Sequence, residues 1–89
     1  MNQPVTLTKP HDRRQEVLNF IAKFVRDNHY PPSLGEISAG CGLSGRPNAL
    51  YYTRRLRAEG YITFDNGKSR TVVVLKEEID AAQGPQVQP

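Results

Sequence analysis

Three helices followed by a two-stranded β-hairpin, the winged helix-turn-helix arrangement, are what this 89-residue sequence predicts. Three observations carry the prediction. Apolar residues from Val17 to Val25 recur at helical spacing. A capped segment beginning Ser33-Leu34-Gly35-Glu36 runs through a glycine-containing turn into a segment with four arginines, the order of a helix-turn-helix. Asn66-Gly67 then sits between two β-rich runs, the strongest short hairpin signal in a sequence. The class is therefore mainly α with a small β-hairpin.

The first helix is predicted over about Asp12 to Asn28. Val17, Leu18, Ile21, Phe24 and Val25 form one apolar stripe, with Phe20 beside it. Asp12 and Gln15 have the spacing of a capping box, while Thr8 with Pro10 offers an earlier start. Tyr30-Pro31-Pro32 ends the helix, because the residue before a proline is pushed out of the α region.

Ser33 and Glu36 make a full capping box for the second helix, with the Glu36 carboxylate also placed at the positive end of the helix dipole. Leu34, Ile37 and Cys41 share its inner face. Gly42 suits a left-handed stop, after which Leu43 returns to the core.

The third helix starts between Ser44 and Arg46. A cap at Ser44 or Gly45 puts Pro47 in the first turn, where its missing N–H costs nothing, yet Pro47 also disfavours helical geometry at Arg46. Ala49, Tyr52, Thr53 and Leu56 fall on one side. Pro47, Asn48, Tyr51, Arg54 and Arg55 fall on the other, with Leu50 and Arg57 on the flank. Gly60 is the stop. Tyr61–Phe64 and Thr71–Leu75 are the two strands, and Asn66-Gly67 at their turn calls for φ > 0 at both central positions. Lys68, Ser69 and Arg70 lie at or just past its tip.

The domain therefore spans residues 11–76. Residues 1–10 and the acidic, then Gln- and Pro-containing stretch 77–89 are expected to be disordered tails. All 12 Lys and Arg lie between Lys9 and Lys76, against six acids outside the tail, so residues 9–76 carry +6 and favour a polyanionic partner. From Ser44 to Arg57 the charges are all positive (Arg46, Arg54, Arg55, Arg57) and interleaved with Tyr and Asn, side chains that hydrogen-bond base edges or phosphates.

Other chemistries find little support. No apolar run approaches the ~20 residues of a membrane span, and the first ten residues lack a signal-peptide core, so the expected location is the cytoplasm. A single cysteine excludes an internal disulfide. His11, His29 and Cys41 are too widely spaced for a metal site, and the glycines fit no phosphate loop. Neither a cofactor, a small-molecule ligand nor an enzymatic reaction is expected.

RRQEVLNFI (13–21), YPPSLGEI (30–37), CGLS (41–44), RRLRAEGYI (54–62) and Ser69-Arg70 resemble the N-terminal DNA-binding domain of LexA repressors, over about Arg13 to Leu75. The resemblance implies major-groove reading by the third helix and backbone or minor-groove contact by the wing. Carried over by position, base readout falls on Gly45, Pro47, Asn48, Leu50 and Tyr51, to which the basic residue Arg46 is added. The phosphate and wing candidates are Ser33, Ser44, Arg54, Arg55, Lys68, Ser69 and Arg70. The residue types at the base-readout positions differ from the family's usual ones, so the family's operator is not carried over. The family follows this domain with a self-cleaving serine–lysine protease domain that also dimerises, and the 89 residues end before any such pair. The expectation is a repressor domain whose 89 residues carry no self-cleavage, either a stand-alone relative of phage, plasmid or bacterial origin or an isolated domain. Double-stranded DNA is its expected partner, with a second copy on the DNA. The alternative is a winged-helix interaction module whose basic face binds an acidic protein, since fold alone does not fix function.

Overall fold

The computed structural model describes residues 13–79, which contain three helices, α1 (Arg14–Asn28), α2 (Leu34–Cys41) and α3 (Arg46–Ala58), and two strands, β1 (Ile62–Thr63) and β2 (Val73–Val74). The strands pair antiparallel with Ile62 opposite Val74 and Thr63 opposite Val73. The predicted class and element order are borne out.

Apolar periodicity places the core. Val17, Leu18 and Ile21 of α1, Ile37 of α2, Ala49 and Leu56 of α3, and Tyr61, Ile62 and Val72 of the hairpin form one buried cluster. Phe20, Val25, Leu34, Cys41, Leu43 and Tyr52 pack around it. Where α1 passes α2 the approach is close: a Cβ on Gly40 would come within 2.1 Å of the Phe20 ring. Any larger residue at position 40 would require the Phe20 ring to move.

Three local expectations need correction. The Asp12 half of the first capping box lies outside the described residues, and α1 starts at Arg14 with no side-chain cap bond from Arg13. Gln15 instead faces the segment after the wing. Its Nε2 donates to the Glu77 carbonyl (3.1 Å) and its Oε1 accepts the Ile79 amide (2.8 Å). Arg26 pairs with the Glu77 carboxylate at 2.9 Å, and Ile79 packs against the core. Glu77–Ile79, assigned from sequence to the loose tail, thus lie against α1 because Ile79 has apolar surface to bury and Gln15 satisfies the backbone beside it.

The third correction concerns the hairpin. Its strands are two residues each, and the chain between them forms a loop rather than a tight two-residue turn. Of Asn66 and Gly67, only Gly67 has positive φ (73°), and the Lys68 amide closes onto the Asp65 carbonyl at 3.2 Å. That is the requirement of a type II turn and not of type I′. Below the turn, the Asp65 amide donates to the Thr71 hydroxyl (2.9 Å), so a side chain substitutes for the strand ladder.

The helix-turn-helix unit follows the predicted chemistry. Ser33 Oγ accepts the Glu36 amide (3.1 Å) while Glu36 Oε1 accepts the Ser33 amide (2.9 Å), which is the reciprocal capping box. Gly42 closes α2 in the left-handed region, and the Leu43 amide reaches back to the Ser38 carbonyl at 2.8 Å. The open boundary of α3 resolves at Arg46, with Pro47 in the first turn and Gly45 as cap at φ 98°, ψ 172°. That backbone region is open almost solely to glycine.

Candidate nucleic-acid interface

Burial divides α3 as its periodicity predicts. Ala49, Thr53 and Leu56 are buried, Tyr52 and Leu50 are partly covered, and Arg46, Pro47, Asn48, Tyr51, Arg54 and Arg55 are exposed. The turn into the helix is held from beneath by Ser38, a buried serine whose hydroxyl donates to the Leu43 carbonyl (3.1 Å) and accepts the Gly45 amide (3.0 Å). These two bonds set the angle at which α3 leaves α2. Sequence reasoning passed over Ser38; its signal was a hydroxyl one residue after the inward Ile37, on a helix whose neighbours there are apolar.

Between α3 and the wing lies a groove of about 260 Å³. Arg46, Leu50 and Arg54 line one wall, and the hairpin tip with Lys68, Ser69 and Arg70 lines the other. The structure thus brings together candidates from two separate sequence segments. Asn48 and Tyr51 lie on the next face of α3 with Ser44, around a shallower depression. Ser33 stands apart from these residues in role, because its hydroxyl already accepts the Glu36 amide.

The cations sort into two groups. Arg13, Arg14, Lys23, Arg26, Arg55 and Arg70 each pair with a carboxylate. Among the described residues Arg46, Arg54, Arg57, Lys68 and Lys76 do not. Three of these five, Arg46, Arg54 and Lys68, line the groove. Asp65 is the single carboxylate on that lining, so the groove carries an excess of positive charge.

Several candidates are engaged within the molecule. The Asn48 side-chain amide donates to Ser44 Oγ. Arg55 donates to the Tyr51 hydroxyl (3.1 Å) and lies 3.5 Å from Glu59, whose other oxygen pairs with Arg14. The Tyr51 hydrogen bond is the main reason that the Arg55 pKa rises above its ordinary value. Arg70, placed at the wing by sequence, folds back to α2. Its Nη1 and Nη2 grip the two Glu36 oxygens at 2.8 and 3.0 Å, and this fork is the chief cause of the lowered Glu36 pKa.

Arg57, a flanking member of the basic segment in the sequence, has a structural task. It stacks 4.0 Å from the centroid of the Phe64 ring and donates to the Phe64 carbonyl (3.2 Å) and to Asn66 Oδ1 (2.9 Å). It therefore ties α3 to the near leg of the wing. No local pattern signals such a contact, since Arg57 and Asn66 meet only through the fold. Cys41 is half-buried beneath the turn, and burial pushes its thiol pKa up, as befits a small core residue.

Three helices and an antiparallel wing, with an exposed basic face on the third helix, define a winged helix-turn-helix domain. The comparison with known families agrees: the LexA DNA binding domain matches residues 6–71. The chain belongs to the LexA DNA-binding domain family. It is 36% identical over 76 residues to the LexA repressor of Geobacillus sp. (strain WCH70), covering 85% of this chain and 37% of that protein. It is 35% identical over 77 residues to the LexA repressor of Bacillus subtilis (strain 168), covering 86% and 38%. The LexA repressor of Clostridium botulinum (strain Hall) is 36% identical over 64 residues, covering 72% and 32%. The chain spans about a third of the length of these relatives.

Proposed function

We propose that the protein is a sequence-specific transcriptional repressor that binds double-stranded DNA, with no reaction of its own in these 89 residues. The N-terminal turns of α3 enter the major groove, where Gly45, Arg46, Pro47, Asn48, Leu50 and Tyr51 meet base edges. Arg54, Arg55 and Ser44 hold phosphates, and Lys68 with Ser69 reaches the backbone or minor groove from the wing.

One observation carries this reading: Arg46, Arg54 and Lys68, which have no carboxylate partner among the described residues, converge on one groove from two elements distant in sequence. A merely solvated surface has no reason to gather its uncompensated cations there, whereas a duplex backbone supplies phosphates on both sides of an inserted helix. The LexA name of the relatives supports the same assignment.

Selection from a pool of random duplexes tests it. An enriched motif supports base readout. Retention of an acidic protein with no enriched duplex would transfer the basic face to the alternative role of protein docking.

A further inference from the structure

We propose that the Arg70–Glu36 pair is a latch that positions the wing, so that Arg70 serves recognition by placing Lys68 and Ser69 rather than by touching DNA. This rests on the reading of the groove as a duplex site. The hairpin has only two residue pairs, too little ladder to hold the long loop at its tip in one orientation. Arg57 anchors the near leg from α3. The far leg needs a second anchor, and Arg70 supplies it.

The geometry at Arg70 is costly in any other role. Its φ of 59° lies in the left-handed region, unusual for a residue with a Cβ, and this turn sends the side chain back to α2. There the guanidinium makes a two-pronged bond to Glu36, donates to the Pro31 carbonyl at 3.1 Å, and lies 5.0 Å from the centroid of the Tyr30 ring. Such planar, bidentate pairing is what arginine offers and lysine does not. Glu36 is itself held, because the same carboxylate accepts the Ser33 amide. A phosphate approaching Arg70 would meet that carboxylate as well.

Three variants of the full chain separate a latch from a DNA contact. Glu36→Gln keeps the capping box, for which glutamine also serves, and removes the ion pair. As a latch, the pair predicts that Glu36→Gln binds a mixed-sequence duplex several-fold more weakly with its salt slope unchanged. It also predicts faster amide hydrogen exchange at residues 64–72 in the absence of DNA. If Arg70 were a phosphate ligand quenched by Glu36, the same change would strengthen binding and steepen the slope. Arg70→Gln lowers the slope by about 0.9 only in that second case. Arg70→Lys behaves like Arg70→Gln for a latch and like the native protein for a point-charge contact. Stronger binding by Glu36→Gln, a lowered slope for Arg70→Gln, or unchanged wing exchange overturns the proposal. Failure of the native protein to bind any duplex would instead remove the DNA reading, while the exchange measurement still decides the latch.

Discussion

Arg54 and Arg55 are neighbours on the same exposed face of α3, yet the structure predicts different consequences for their loss. Arg54 has no carboxylate partner among the described residues and lines the groove. Arg55 shares Glu59 with Arg14 and is bonded to the Tyr51 hydroxyl. Each phosphate contact contributes about 0.9 to the slope of log affinity against log salt, so losing one makes binding about 3.5-fold less sensitive to a fourfold rise in salt. Arg54→Ala should show that full change, on cognate and mixed-sequence duplexes alike. Arg55→Ala should show a smaller one, because its field is already partly cancelled. It should also alter the preferred bases near Tyr51, whose hydroxyl loses its partner. Glu59→Gln should move Arg55 toward the behaviour of Arg54. Fluorescence anisotropy titrations at several salt concentrations read all of these. Equal slope changes for the two alanine variants would refute the argument that intramolecular pairing discounts a cation, and a loss for Arg54→Ala confined to one sequence would make it a base reader.

Asn48→Ala and Tyr51→Ala should change which bases are preferred, each lost direct contact being worth about 1–3 kcal/mol; an unchanged preference matrix with unchanged affinity removes both from the interface. Ser38→Ala leaves a carbonyl and an amide without their partner beneath the turn, a cost of about 1–3 kcal/mol. For so small a domain that is a fall in Tm of roughly 4–24 °C, and an unchanged melting curve would show the turn to be held by other contacts. One small module buries less DNA surface than specific complexes usually do, so a second copy should bind cooperatively on a two-half-site duplex while the free protein sediments as a monomer. A dimer without DNA, or equal affinity per half-site on both duplexes, would contradict one part each.

What the sequence made legible was whatever depends on neighbours along the chain. The stripe of α1, the reciprocal Ser33–Glu36 cap, the left-handed stop at Gly42 and the two faces of α3 are all decided within a few residues. Contacts closed by the fold were not legible. Arg70 meets Glu36 across 34 positions, Arg57 meets Asn66 on the wing, and Gln15 meets Ile79 across 64. The hairpin turn shows the boundary between the two: Asn-Gly located it correctly, but the turn type differs from that of a tight hairpin, in a loop anchored by Thr71 and Arg57. Among the site candidates, burial agreed with position on the helix, while the partner of each charge was invisible until the chain was folded.

That last difference changes what the charge total means. The net +6 of residues 9–76, if all of it acted on phosphates, would imply a salt slope of about 5.4. Six of the described cations already have carboxylate partners, and a paired cation releases few counterions when it meets a phosphate. Arg57 bonds the wing and Lys76 sits 5.7 Å from the centroid of the Tyr61 ring, outside the groove lining. Arg46, Arg54 and Lys68 remain; on a mixed-sequence duplex, where Arg46 has no cognate base edge and meets a phosphate instead, three contacts give a slope of about 2.7 for one copy. Such a slope would mean that affinity is set by how α3 and the wing are held, since few charges remain to compensate a misplaced wall. A slope near 5.4 would mean that the intramolecular pairs open on DNA, Arg70 from Glu36 among them, and that the domain trades its internal anchors for phosphates when it binds.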